Sequence, residues 1–235
     1  MIFDVITLFP QMFSALKDEG VIARGIKKSL LSINTWQLRD FSDKSHRNID
    51  DSPYGGGAGM VMQVQPIRKC IKKIKQKNPA TQVIYLSPQG QKLNHNLVLE
   101  LAELKAITLL CGRYEGVDER VIESDIDREI SIGDFVISGG ELAAMVLIDS
   151  VSRQISGVLG NQNSLADSFA QGLLDYPHYT RPETVDGQGV PEVLLSGHQA
   201  KIDTWRKEKS FENTQNKRPD LLYNSLRLKQ KRKIL

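Results

Sequence analysis

The sequence predicts an α/β fold: a mainly parallel sheet covered by helices on both faces, followed by a small helical second domain. Three observations predict it. Over the first 155 residues, short stretches rich in β-branched and aliphatic residues alternate with stretches of helical period, the pattern of a layered, mainly parallel α/β sheet. From 156 onward the run SGVLGNQNS breaks that rhythm, as Gly, Asn and Ser do in a connection. Beyond it, two further helical patterns close the chain.

Taken in order, the predicted strands are Ile2 to Leu8, Ser32 to Trp36, Gln82 to Leu86, Ala106 to Cys111 and Glu129 to Ile137, each bounded by Gly, Pro, Asp or Asn. The first helix has Pro66 at a plausible first position, with Ile67, Cys70, Ile71 and Ile74 on one face and Arg68, Lys69, Lys72, Lys73 and Lys75 on the other. Helical spacing returns over 94–104 (Leu97, Leu101, Leu104) and 141–155 (Leu142, Met145, Leu147, Ile148, Val151, Ile155). Residues 40–65 form a connection too long for a compact domain unless it has a function or is disordered. Its Gly55, Gly56, Gly57 and Gly59 suit a close backbone approach, positive φ or a plain hinge. Residues 177–197, with three prolines and three glycines, read as turns, and His198 to Phe211 and Pro219 to Lys233 read as helices. The expected division is a domain over 1–157, a linker over 158–176 and a basic helical domain over 177–235.

The chain has 235 residues, 40% hydrophobic and 25% charged, as an ordinary globular protein does. No apolar run reaches the roughly 18 residues of a membrane span, since even Leu142 to Ile155 holds Asp149 and Arg153. MIFDVITLF lacks a basic leader and places Asp4 within its apolar stretch, so the expectation is a cytoplasmic protein. Two cysteines, Cys70 and Cys111, are too few for a disulfide framework and lack metal-ligand spacing, and Cys111 reads as a small buried hydrophobe. His46, His95 and His198 show no metal spacing either. Residues 201–235 hold eleven Lys and Arg against four acids, a net +7 in a chain whose total is +3, so the first 200 residues carry −4. That asymmetry fits a polyanion held by one end, and equally a solvated basic helix or a disordered terminus.

The segment 109–142, LLCGRYEGVDERVIESDIDREISIGDFVISGGEL, is two apolar strands ending in glycine turns, at Gly112 and at Gly139-Gly140. It predicts a small-molecule pocket built from backbone. The chain contains neither a phosphate loop nor G-x-G-x-x-G opening a helix, so the pocket fits neither common nucleotide-binding pattern.

Seven blocks together resemble the bacterial tRNA (guanine-37-N1)-methyltransferases, the TrmD family of SPOUT (trefoil-knot) methyltransferases: ITLFPQMF, DDSPYGGGAGM, VIYLSPQGQKL, LLCGRYEGVDER, SIGDFVISGGEL, DSFAQGLLDYPHYTRPE and LLSGHQAKIDTWR, in that order. The resemblance implies a deep knot in the first domain, with S-adenosylmethionine bent within it. It maps the cofactor onto Tyr85, Leu86, Ser87 and Pro88; onto Gly112, Tyr114 and Glu115; and onto Ser131, Ile132, Gly133, Asp134, Phe135, Val136, Ile137, Gly139 and Gly140. An adenine edge asks for paired donors and acceptors, which backbone N–H and C=O supply where glycine removes the side chain.

The resemblance also assigns the catalytic roles. N1 of guanine carries a proton at neutral pH, so its methylation asks for a base and for a cation to hold charge spreading onto O6. Those roles fall on Asp167 and Arg153; read alone, the first would be a helix N-cap and the second a solvated helix end. Glu115 would hold the methionine moiety or the target base, or else pair with Arg113 on the surface. Ser168, Asp175 and His178 would lie near the target nucleotide. The family also implies a homodimer with shared active sites, tRNA gripped by its anticodon arm through the basic tail, and a role for Mg2+ without an evident ligand set. Ala58 and Ala143 stand where the family has proline, Tyr176 where it has cysteine, and 215–218 replaces a stretch with tryptophan, which bears on loop rigidity and tRNA grip. The rival readings are a knotted methyltransferase acting on ribosomal RNA or a ribose hydroxyl, and a non-catalytic knotted RNA-binding protein.

Overall fold

The computed structural model describes residues 1–160 and 167–222. Its contacts divide the chain into two compact units, Met1–Gln162 and Asn163–Leu235.

The first unit is built on a five-stranded sheet of β1 (Ile2–Thr7), β2 (Ser32–Gln37), β5 (Gln82–Lys92), β6 (Ala106–Cys111) and β7 (Arg128–Ser131), in the order β2-β1-β6-β5-β7. Every neighbouring pair is parallel. β6 is buried at all six positions, which is why AITLLC is continuously apolar rather than alternating. Its residues serve two cores in turn. Ile107, Leu109 and Cys111 pack with Phe3, Val5, Ile84 and Leu86 beneath α2 (Gly20–Lys27), α4 (His95–Ala102) and α6 (Gly140–Ser152). Leu110, Ile6, Val83 and Tyr85 face α3 (Val64–Lys77) and α5 (Glu119–Asp125). The α3 stripe Ile67, Cys70, Ile71 and Ile74 is buried as its spacing predicts, although the helix starts at Val64 and Pro66 is its third residue.

Four segments differ from the sequence expectation. Residues 8–32, without a predicted helix, contain α1 (Ser14–Asp18) and α2, whose Gly25 lies against Leu31 and Val158. β5 does not end at Leu86: it bulges out at 87–90 and rejoins β7 at Gln91, so that Leu86 and Gln91 both face Ile130. Gly90 makes that return possible, because a Cβ there would stand 2.4 Å from the Glu129 carbonyl carbon. The last strand stops at Ser131 instead of running to Ile137. The Ser131 hydroxyl donates to the Gly133 carbonyl (2.9 Å) and accepts from the Gly133 amide (3.2 Å), which gives the backbone a turn in place of the ladder. Finally, the long connection 40–65 holds a short antiparallel pair, β3 (Asp50–Asp51) with β4 (Val61–Met62).

The second unit contains a two-stranded hairpin, β8 (Thr184–Val185) with β9 (Gln188–Gly189), then α7 (Glu192–Leu195) and α8 (Gln199–Lys217). Asp186 and Gly187, at φ 49 and 78, are the Asp-Gly pair that a two-residue hairpin turn of this hand selects. Residues 219–222 are helical; the rest of the predicted helix, with Arg227, Lys229, Lys231, Arg232 and Lys233, lies outside the described residues. No helix among the described residues is long and apolar enough to cross a membrane.

Candidate active site

A cavity opens where β5 leaves its ladder and beyond the carboxyl ends of β6 and β7, where open α/β sheets hold ligands. Three segments wall it: residues 85–88 where β5 enters its bulge, the turn 112–116 and the loop 130–139, with Gly140 and Ala143 of α6 behind them. Each follows from a local feature above: Gly90 returns the bulge, Ser131 turns the loop, and glycine closes the floor. A Cβ on Gly140 would stand 2.8 Å from the Cys111 Cα and 2.9 Å from the Gly112 amide nitrogen, so the start of α6 touches the end of β6 through bare backbone. The Gly140 amide donates to the Gly112 carbonyl (2.9 Å).

The structure brings together every residue expected to hold the cofactor except one. Tyr85, Leu86, Ser87, Pro88, Gly112, Tyr114, Glu115, Ser131, Ile132, Gly133, Phe135, Val136, Ile137, Gly139 and Gly140 line the cavity. Asp134 does not: the Phe135 ring folds over Gly133 and the Asp134 carboxylate turns outward to Lys92 (2.6 Å). The cavity wall also includes Arg113, within the loop 112–115 that the resemblance implies, and Gly116, Ile130, Ser138 and Ala143, which sequence reasoning passed over. Burial, and then the Glu129 carboxylate, push the Tyr85 phenol above its ordinary range, so it stays a neutral wall. Burial, with the nearby Glu141 carboxylate next, pushes the Cys111 thiol well up, in keeping with an inert packing role; both cysteines are free and buried.

Glu115 is not the partner of Arg113. The guanidinium pairs with Glu141 (2.8 Å), a wholly buried carboxylate. Glu115 instead lies against Gly59, where an added Cβ would stand 2.4 Å from its Oε1. The end of the glycine loop is stitched to this turn: Glu115 N–H donates to the Met60 carbonyl (2.9 Å), Met62 N–H to Gly116 (2.9 Å) and Asp118 N–H to Met62 (3.1 Å).

Arg153 is the C-cap of α6, at the opposite end of the helix from Gly140. Thirteen residues at the helical rise separate the two backbones by about 20 Å, and Arg153 is not among the residues lining the cavity. In the second unit, Asp167 opens a tight turn, its carbonyl accepting from Ala170 (3.2 Å), with Phe169 at φ 76; no helix follows it as an N-cap would require. Ser168, Asp175 and His178 do gather. The Ser168 hydroxyl accepts from the Asp175 amide (3.0 Å), and Asp175 Oδ2 meets His178 Nε2 (2.9 Å). α8 anchors this strip through Asn213 to the Asp175 carbonyl (2.9 Å) and through buried Thr214, which accepts from the Leu174 amide (2.9 Å). The Arg206 guanidinium lies 4.9 Å over the Tyr176 ring, a cation–π contact beside His178. Among the described residues no group of His, Cys, Asp and Glu could hold a metal ion.

The family model of tRNA (Guanine-1)-methyltransferase TrmD matches residues 1–224. A tRNA (guanine-N(1)-)-methyltransferase of Vibrio vulnificus is 58% identical over 94% of this chain and 89% of its own length. One of Photorhabdus laumondii is 57% identical over 98% and 93%, and one of Serratia marcescens is 54% identical over 100% and 92%. With the match running through both units and through every wall of the cavity, the chain belongs to the TrmD family of tRNA (guanine-1)-methyltransferases.

Proposed function

We propose that this tRNA (guanine-N1)-methyltransferase takes its methyl group from S-adenosylmethionine held in the cavity, and places it on N1 of the guanine 3′ to the anticodon, position 37. The observation that carries the reading is the backbone-built cavity itself. Residues 85–88, 112–116 and 131–140, far apart in sequence, meet around one space whose floor has no room for a side chain at Gly140. A nucleoside without polyphosphate fits such walls: backbone groups meet the base edge, and Ile132, Ile137 and Ala143 supply apolar cover. When bound, S-adenosylmethionine supplies an electrophilic methyl group. A deep knot through 85–140 is the family architecture we carry over to this sheet.

In this reading Asp167 takes the N1 proton as the N1–CH3 bond forms and the sulfonium becomes a thioether. Arg153 holds the charge developing on O6. Ser168, Asp175 and His178 contact the nucleotide, and Glu115, at the cavity wall, orients the methionine moiety or the target base. The distance along α6 supports a homodimer: Arg153 is a helix length from its own cavity, and a second copy lying against α6 would bring it to the partner's. Leu142 and Val146, one turn apart on α6, are each 48% exposed, Phe135 is 56% and Val136 is 83%, an apolar strip that fits such cover. Residues 158–176 act as linker and 177–235 as the tRNA grip, with phosphate contacts from the basic residues; Mg2+ would act on substrate rather than at a protein ligand set.

The test is methyl transfer from S-adenosylmethionine to a tRNA transcript with guanines at 36 and 37, mapped by nuclease digestion and mass spectrometry. We expect methyl on N1 of guanine 37, and a single-turnover rate at least about 100-fold lower in Asp167→Ala. Methyl on a ribose hydroxyl, or undiminished transfer by the variant, would overturn the assignment.

A further inference from the structure

Glu141 is wholly buried at the second position of α6 and takes no part in the chemistry above. Its carboxylate accepts from the Thr7 hydroxyl on Oε1 (2.8 Å) and from Arg113 Nε on Oε2 (2.9 Å). Thr7 Oγ1 in turn accepts from the Phe9 amide (2.9 Å), so the first strand's exit is tied in. Arg113 passes the connection on: Nη1 donates to the Ser138 carbonyl (3.0 Å), and the guanidinium lies 4.4 Å over the Phe9 ring. It also lies flat on Gly139, where a Cβ would stand 2.1 Å from Nε. One buried carboxylate therefore joins the end of β1, the turn 112–116 and the loop 130–139, two of the three walls and the strand behind them.

A buried ion pair is a weak source of stability, because desolvation cancels much of its attraction, and an apolar pair of equal volume often does as well. What an apolar pair could not do is fix the direction of a carbonyl. With Nε and Nη2 held on Glu141 Oε2, Nη1 of Arg113 is aimed at the Ser138 carbonyl, beside Gly139, while Nη2 also reaches Met12 Sδ (3.9 Å). We propose that Glu141 is a positioning residue for the methyl-donor site: through Arg113 it holds the 132–139 loop against the 112–116 turn at the spacing the donor needs. The proposal rests on the cavity being the donor site.

The experiment measures S-adenosylhomocysteine binding by calorimetry, steady-state KM for donor and for tRNA, and the melting temperature of the ligand-free protein. Glu141→Gln keeps the volume and an oxygen acceptor but removes the charge under Arg113. Arg113→Lys keeps the charge and loses the fork. Both are expected to weaken S-adenosylhomocysteine binding by about tenfold, the scale of a hydrogen bond to a charged group, and to raise donor KM in step. tRNA KM should stay within about twofold, since hydrogen bonds of the loop are the ones lost. Thr7→Val, which leaves the ion pair whole, should cost about threefold in the same direction, and decides the matter if the other variants fail to fold. Unchanged ligand binding in these variants overturns the proposal, as does a loss shared equally between donor and tRNA. If instead the wild-type protein does not bind S-adenosylhomocysteine at all, the donor-site reading has failed, and the proposal with it.

Discussion

Two sets of glycines in the first unit answer to different physics. Gly140 has an ordinary backbone conformation and no room: its Cβ would meet the Cys111 Cα and the Gly112 amide nitrogen, at 2.8 and 2.9 Å. Gly55, Gly56 and Gly57 have room and no ordinary conformation, with φ of 86, 77 and 113 and nothing within 4 Å. The first glycine lets two backbones touch; the second set lets one backbone turn. In sequence they look alike, as G-G and G-G-G. What separates them is whether the neighbour that must yield is part of the protein's frame or open solvent.

That contrast can be broken most directly at Gly140. Alanine there has to push α6 away from the end of β6, since neither contact is a side chain that could swing aside. Overpacking of this kind costs about 1–3 kcal/mol, and the shift falls on the cavity floor. The expected outcome is a lowered melting temperature together with loss of S-adenosylhomocysteine binding by calorimetry. Gly59→Ala comes next, because that position combines both conditions: φ is +90 and the Glu115 carboxylate stands 2.4 Å from the added Cβ. The strain of positive φ costs about 1–2 kcal/mol, and Glu115, being a flexible side chain, moves off. Donor binding should weaken several-fold while the floor stays intact. Gly57→Ala isolates the torsional part: about 1 kcal/mol of stability by thermal melting, with ligand binding unchanged. Equal effects of Gly140→Ala and Gly57→Ala on ligand binding would dissolve the distinction.

The sequence made the frame legible where burial on both sides leaves a long apolar run. Ala106–Cys111 is a strand over the residues its composition predicts, and the stripe from Ile67 to Ile74 lies inward. It misled where apolar residues at the edge of the core also line a cavity. Ile132 and Ile137 read as strand because of their side chains, yet Ser131 and Gly133 turn the backbone after Ser131. The helices over 14–27 were hidden by their shortness, with Glu19 extended between them. The block resemblance located the cavity walls that periodicity could not. Even so, it did not reveal that Asp134 faces away, nor that Arg113 belongs to Glu141, because both depend on which way a side chain leaves a turn. Arg113 and Glu141 stand 28 residues apart, and an ion pair at that separation has no local pattern to betray it. A signal was present all the same: a carboxylate one residue after a glycine pair, just before the apolar run Leu142 to Ile148, needs a partner.

The smallest effect tests the anchored end of the glycine loop, where Asp118 takes part twice. Its amide donates to the Met62 carbonyl (3.1 Å), fastening the loop, and its carboxylate caps α5 by accepting from the Arg120 amide (3.0 Å). The Arg120 side chain completes the arrangement at 2.9 and 2.7 Å. The Arg120 guanidinium hydrogen bond, more than the backbone amide, holds the Asp118 carboxyl below the usual carboxylate range. A depressed acid stabilises the folded state above its unfolded pKa, near 3.9, and that contribution is lost as pH falls through the lower folded value. Asp118→Asn keeps an oxygen for the cap but abolishes the charge. Wild type should therefore melt about 2 °C above the variant at pH 7, an exposed pair being worth little, and the two curves should merge as pH falls through the lowered folded value. Because the anchoring bond is made by backbone, donor binding should not follow the charge. A variant that lost S-adenosylhomocysteine affinity at neutral pH would mean that the loop's hold on the turn runs through this carboxylate, and that the open glycines and the packed ones form one mechanical unit.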